Sequence, residues 1–432
     1  MKYLSVLAMV AAAASSFGQQ PCDVLLKGGH VIDPKNNISA VRDVAIQAGR
    51  IVAVGQGIQP SPDCRIIDVK GLYVTPGLVD IHAHVYAGSG EPGSYGGGDL
   101  SVFPDGFTFR AGVTTVTDAG GAGWRNFPDF QTRIIARSRT RVFAMLNIVG
   151  AGMRGARYEN DLADMSAEAT ANMAREFPAV VVGVKCAHYA GPEWTPIERA
   201  VAAGRLANIP VMVDFGENSA SRPVAELVTS KLRPGDIYTH VYSGLRGELL
   251  PSGEMNPGMI EGRKRGVIFD VGHGGGSFLW RVAVPALKQG FGPDSISTDL
   301  HVGSMNAGMK DMLNVMSKFL VLGMPLDDVV RLSTWNPARE IKHQELGNLS
   351  VGALADVAVL RLEKGHFGYT DTNGARLAGD RKLTCELTLL DGWVVWDLNG
   401  MAKPDWTDLP SNYGVQLDPR LDATRGSGRR RR

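Results

Sequence analysis

The stretch VTPGLVDIHAHVY, residues 74–86, places two of the chain's nine histidines one residue apart at the end of an apolar run. The run follows Pro76-Gly77 and reads as a buried strand. Side chains two apart on a strand leave the same face, with Cα atoms roughly 6.6–7 Å apart. His82 and His84 therefore share a face, with Asp80 below them. Two imidazoles so placed can hold one metal ion. The same spacing also suits two histidines that simply bond backbone carbonyls.

Four more chemically capable residues close apolar runs. Lys185 ends VVVGVKC, Asp214 ends VMVD, His240 ends DIYTH, and Asp299 stands near the tip of SISTDLH. A charged lysine closing a buried run is costly unless its charge is paired or removed. Reaction of the neutral amine with CO2 would remove it and give a carbamate able to bridge two metals. A lysine that merely reaches solvent at a strand tip is the plainer reading. Each aspartate alone could just cap a following helix. Together the set supplies imidazole and carboxylate, the ligands that suit zinc.

Eight β-rich apolar runs must position these groups: 78–84, 113–120, 142–150, 180–186, 211–216, 236–240, 267–273 and 295–301. Their starts lie roughly 30 residues apart, the length of a βα unit. Helical spacing of apolar residues recurs between them at 164–177, 193–207 and 306–323. This rhythm predicts a (β/α)8 TIM barrel over 76–344, with an open doubly wound sheet as the alternative. In such barrels chemistry gathers at the C-terminal strand ends. Short β runs flank the barrel, in 19–75 and 345–412, and predict one small β-domain built from both chain ends.

The chain has 432 residues, 44% hydrophobic and 21% charged, with formal net charge +1. That is ordinary globular composition and argues against nucleic acid or an anionic membrane surface as partner. Lys2, the apolar run 4–14 and the small residues Ser16 and Gly18 read as a secretory signal peptide, residues 1–18, too short to serve comfortably as a membrane anchor. No later segment offers about 18 uninterrupted apolar residues. A secreted or periplasmic protein without stable membrane insertion is expected. Export permits disulfides. Cys22 and Cys64 both fall in the N-terminal β segment, where adjacent strands would bring them within bridging range, leaving Cys186 and Cys385 as thiols. The basic tail at 413–432 reads as a disordered end.

The ordered set GLVDIHAH, Lys185, THVYSG, STDLH, WNPAREI and LGNLSVGALADVAVL resembles the amidohydrolase superfamily of metallohydrolases. AGVTTVTDAGGAGWRNF, RPGDIYTHVY and FDVGHGGGSF look like its amidohydrolase/deacetylase branch. The likeness covers nearly the whole mature chain. It implies a β-sandwich from both ends, a (β/α)8 barrel, and one or two divalent ions, usually Zn2+. It implies His82 and His84 on a first metal, Lys185, N6-carboxylated, as bridge, His240 on a second metal, and Asp299 as ligand and proton acceptor. The chain departs from the pattern at Asp214, where the family usually has histidine. Asp can ligate zinc, but the added negative charge changes the second site.

A divalent metal lowers the pKa of water toward about 7, and a carboxylate beside that water can take its proton. The expected activity is hydrolysis of an amide or ester in a small acylated molecule, of deacetylase, amidase or esterase type. A cyclic amide or lactone hydrolase is the alternative, and a barrel that has lost catalysis is the non-enzymatic one. His273, among glycines after the seventh run, and His188, three residues after Lys185, are candidate substrate contacts. His30, His343 and His366 lie away from the strand ends and read as surface or packing residues. The Gly-rich loop 88–99 lacks a GK[ST] ending, which excludes a P-loop and suggests a mobile lid or substrate loop. Composition leaves self-association into a homo-oligomer open.

Overall fold

The computed structural model describes residues 19–88, 91–216 and 218–414. The expected signal peptide and nearly all of the basic tail lie outside the described residues. Among the described residues, fifteen strands form two sheets.

The first sheet is mixed and draws on both chain ends. From the N-terminal side come β1 (Val24–Asp33), β2 (Ile38–Gln47), β3 (Arg50–Gly55), β4 (Arg65–Asp68) and β5 (Tyr73–Pro76). The order is β15-β14-β13-β5-β1-β2-β3 with β4 beside β1, where β13 is Val357–Thr370, β14 Arg376–Leu390 and β15 Trp393–Asp397. The two ends meet where β5 pairs antiparallel with β13, Val74 opposite Val359. Leu26, Val44, Val74, Val357 and Leu387 are buried in a separate apolar core. Strand pairing joins all eight strands into one sheet. Cys22 and Cys64 stand just before β1 and β4, which run parallel with Val24 opposite Arg65, and the two cysteines are joined in a disulfide.

The second sheet is parallel throughout. It runs in chain order through β6 (Leu78–Ala83), β7 (Val113–Gly123), β8 (Arg141–Asn147), β9 (Val181–Ala187), β10 (Val211–Asp214), β11 (Ile237–Tyr238) and β12 (Ile268–Phe269). Nearly every residue of these strands is buried, as expected of parallel strands covered on both faces. The expected eighth strand, 295–301, is not a regular strand. It makes single bridges to both free edges, Ser295 to Asp270 and Leu300 to Ala83, and so closes the ring. Its side chains explain the irregularity. Ser295 and Ser297 donate to Asp270, Thr298 donates to Asp80, and Asp299 adopts a left-handed φ of 53°.

Helices cover the outside. The expected helix at 164–177 forms as Ala167–Glu176, with the Ser166 side chain accepting from the Ala169 N–H. That at 193–207 forms as Thr195–Ala207, with Asn208 in the left-handed conformation closing it. The expected single helix at 306–323 is instead two, Val302–Asn306 and Met312–Val321. Between them Gly308 lies so close to the carbonyls of Thr370 and Asp371 that a Cβ would sit 2.6–2.7 Å from their oxygens, and Lys310 has φ 67°. A continuous helix cannot pass there. Among the described residues no helix is long and apolar enough to cross a membrane.

Candidate metal centre

Strand β6 delivers His82 and His84 to the C-terminal mouth of the barrel, their rings 5.6 Å apart and nearly perpendicular. Both are almost completely buried. The Thr239 hydroxyl donates to Asp270 at 2.7 Å, so its oxygen accepts from His82 Nδ1 at 2.9 Å. Nδ1 therefore carries the hydrogen, and the Nε2 lone pair is left for the cavity. His240 is oriented by another route, since its Nδ1 donates to the Gly272 carbonyl at 2.5 Å. Orientation of a ring through its distal nitrogen is the usual support for a metal-binding histidine. Burial, with Lys185 nearby, lowers the His82 pKa to about 3, so the ring stays neutral and able to bind metal.

Asp299 faces this pair. Its Oδ1 lies 2.8 Å from His84 Nε2 and 3.6 Å from His82 Nε2. One ligand atom each from His82, His84 and Asp299 lies within 4.8 Å of the others. Lys185 Nζ, fully buried at the end of β9, stands 3.0 Å from His82 Nε2. Burial lowers its pKa despite the carboxylates of Asp214 and Asp299. Two oriented imidazoles, a carboxylate and a desolvated amine suit a divalent cation.

Asp214, at the tip of β10, is held more tightly. His188 Nε2 lies 3.0 Å and His240 Nε2 3.2 Å from its Oδ2, while Arg246 Nη2 bonds Oδ1. Burial alone would raise the Asp214 pKa. The Arg246 guanidinium and the His240 and His188 rings outweigh it and hold the carboxyl well below the usual range. His188 also bonds Glu159 through Nδ1 at 2.6 Å. Burial would lower its pKa, but the two carboxylates raise it to about 10.

His82, His84, Lys185, His188, Asp214, His240 and Asp299 line a polar cavity of about 220 Å3 that also takes in Tyr95, His301 and Gly275–Gly276. The loop expected to cover substrate brings Tyr95 against His84 and His301, with ring centroids 4.5 and 5.0 Å apart. His301 Nδ1 accepts from the backbone N–H groups of Gly303 and Ser304, so its hydrogen is on Nε2, 3.9 Å from Asp299 Oδ2. A larger cavity of about 770 Å3 opens on the mixed sheet beside Arg65 and Trp393, but no histidine lines it.

His273 is not in the cavity, contrary to the expectation of a substrate contact. Its ring stacks on Phe278 at 4.6 Å, and its Nε2 meets Lys318 Nζ at 2.5 Å. The positive φ of both Gly272 and Gly274 turns the chain so that His273 points inward, while Gly275 and Gly276 face the cavity. His343 packs on Phe143 at 4.2 Å, and His366 is exposed. Sequence reading missed Tyr95, His301, Arg246 and Glu159. Tyr95 was the aromatic residue within 88–99, and His301 stood two positions after Asp299. Arg246 and Glu159 carried no local signal.

The protein is thus a TIM barrel with a His-His-Asp cluster at its C-terminal mouth. Residues 280–396 match the amidohydrolase family profile. The chain is 35% identical over 334 residues to the deacetylase Atu3266 of Agrobacterium fabrum, covering 76% of this chain and 79% of that one. It is 33% identical over 344 residues to a deacetylase of Brucella anthropi, covering 78% and 83%. Among solved structures it is similar to one described as a dihydroorotase, at 30% identity and TM-score 0.75, covering 87% of this chain and 99% of that one. Another, described as an adenine deaminase, matches at 27% identity and TM-score 0.78, with coverage of 87% and 100%. The chain belongs to the amidohydrolase family, whose superfamily is metal-dependent.

Proposed function

We propose that this chain is an exported, zinc-dependent deacetylase or amidase that releases an acyl group from a small molecule, with esters as a secondary substrate class. The observation that carries the reading is the convergence of His82, His84 and Asp299 on one point beside Lys185. His82, His84 and Asp299 would hold the ion, joined by Lys185 as its N6-carboxylated form. His240 and Asp214 stand where a second ion would bind. Export rests on the N-terminal apolar run and agrees with the Cys22–Cys64 disulfide. We read residues 19–75 and 345–412 as one small β-domain built from both chain ends, supported by their shared sheet and separate apolar core, and 76–344 as the catalytic barrel.

A bound divalent ion supplies Lewis-acid polarisation of the carbonyl and a lowered pKa for the attacking water. The chain's residues do the rest. Asp299 accepts the proton of the attacking water and returns it to the leaving nitrogen, which would otherwise depart as an unstable amide anion. His301, with hydrogen fixed on Nε2, donates toward Asp299 or toward substrate. Tyr95 packs against His84 in the cavity lining, and His188, which also lines the cavity, contacts substrate.

A cyclic-amide hydrolase is the second reading. It is favoured by the dihydroorotase structure and by a 63-residue segment 46% identical to a dihydroorotase of Geotalea daltonii, which covers 15% of each chain. Zinc-loaded protein assayed against N-acyl amino acids, acyl esters, lactones and cyclic amides tests both. Turnover of acyclic N-acyl substrates supports the first reading. Turnover confined to ring opening replaces it with the second.

A further inference from the structure

We propose that Arg246 takes the place of a second metal ion, so that the centre binds a single divalent cation. The inference rests on the metal-hydrolase reading above and fixes its stoichiometry.

The departure at β10 has a partner elsewhere in the chain. Asp214 is buried, and the residue that meets it is a buried arginine 32 positions away, on the loop after β11. Arg246 is 4% exposed. Its backbone N–H donates to Glu248 Oε2, and Glu248 is anchored in turn by the Ser243 hydroxyl at 2.6 Å and the Tyr238 hydroxyl at 3.3 Å. The loop is thus built to hold the guanidinium at this place. Among the described residues, Nε and Nη1 of Arg246 have no hydrogen-bond partner, and Asp214 is the side chain its guanidinium bonds.

Both oxygens of Asp214 are engaged. Oδ1 takes Arg246, and Oδ2 faces His188 and His240 at 3.0 and 3.2 Å. A carboxylate serving a metal offers a lone pair to it and is itself held by hydrogen bonds. Here the support is a fixed cation. A divalent ion on Oδ2 would sit across one carboxylate from the guanidinium, in a low-dielectric site where like charges repel strongly. A histidine at position 214 would have no charge to pair with Arg246. The aspartate and the arginine therefore make sense as a replacement pair: one negative charge gained at the ligand position, one permanent positive charge set against it. Among the described residues, Asp299 in the cluster with His82 and His84 is paired with histidines and not with arginine, which leaves that cluster for one ion.

Metal-free full-length mature protein is loaded with excess Mn2+, passed through a desalting column, and measured by metal analysis and by electron paramagnetic resonance. Wild type is expected to retain about one equivalent and to show the hyperfine pattern of an isolated Mn2+ ion. Arg246→Met and Arg246→Gln, which remove the charge, are expected to admit a second equivalent with the spectrum of an exchange-coupled pair. Arg246→Lys, which keeps the charge, stays at one. Circular dichroism identifies any variant that fails to fold, and the wild-type spectrum decides on its own if both neutral variants fail. An exchange-coupled pair in wild type overturns the inference and leaves the metal-hydrolase reading standing. No retained metal in wild type removes both. One equivalent in wild type and in a folded neutral variant overturns Arg246 as the excluding group.

Discussion

His84 Nε2 lies 2.8 Å from Oδ1 of Asp299, although the two residues come from opposite ends of the barrel segment and meet only where 295–300 bridges β6. This contact places a carboxylate beside the two candidate metal-ligating imidazoles, where the proposed mechanism activates water. Asp299→Asn preserves size and hydrogen bonding but cannot accept a proton. At matched metal content the variant is expected to lose about 10²–10⁴-fold in kcat. Turnover within about threefold of wild type would remove Asp299 as the proton carrier.

Lys185 is fully buried, and burial favours its neutral amine, the form that reacts with CO2. Lys185→Ala is expected to lower metal content and activity together. Acetate or propionate, which restores a carboxylate in the vacated space, is expected to recover part of both. Carbon-13 NMR of wild type reconstituted with labelled bicarbonate should show a carbamate resonance that Lys185→Ala lacks. Wild type without that resonance, at full metal content, argues for a plain lysine.

The Cys22–Cys64 bridge closes a loop with sequence separation 42. In the chain-entropy account such a loop is worth about 4 kcal/mol of stability. Denatured, unreduced protein from an oxidising compartment should show two thiols, from the buried Cys186 and Cys385. Four thiols would contradict the bridge. Cys22→Ser/Cys64→Ser should melt at lower temperature with unchanged metal content, since the mixed sheet and not the barrel mouth carries the link.

His188 gives metal-free protein a defined pH response. Its folded pKa is raised from the ordinary imidazole value of 6.5 to about 10 by Asp214 and Glu159, against the opposing effect of burial. The folded state binds the extra proton between these values, so the contribution to stability is complete below about 6.5 and is lost as pH rises through about 10. Thermal melts of metal-free wild type between pH 6 and 10 should fall more steeply than those of His188→Gln. Parallel curves for the two proteins would show that the ion pairs of His188 contribute nothing to folding.

The sequence by itself determined the barrel rhythm and the residues near its strand ends, both of which follow from local periodicity, while the bridging of Cys22 to Cys64 was decided only by the structure. Alternation on β6 puts His82 and His84 on one face whatever packs around them, and buried apolar runs about one βα unit apart leave few other folds. Only the tertiary structure decided which polar groups meet. His188, His240 and Asp299 all have positive φ, 58°, 66° and 53°, so the chain has left strand geometry where the chemistry begins and alternation no longer sets side-chain direction. The same loss of periodicity turned His273 inward to Lys318 and carried His301 and Tyr95 into the cavity. Arg246 reaches Asp214 across 32 residues, through a loop whose shape depends on Glu248, Ser243 and Tyr238. Charge compensation in a buried site is a property of distance in space, which one-dimensional spacing does not encode once the chain leaves regular structure.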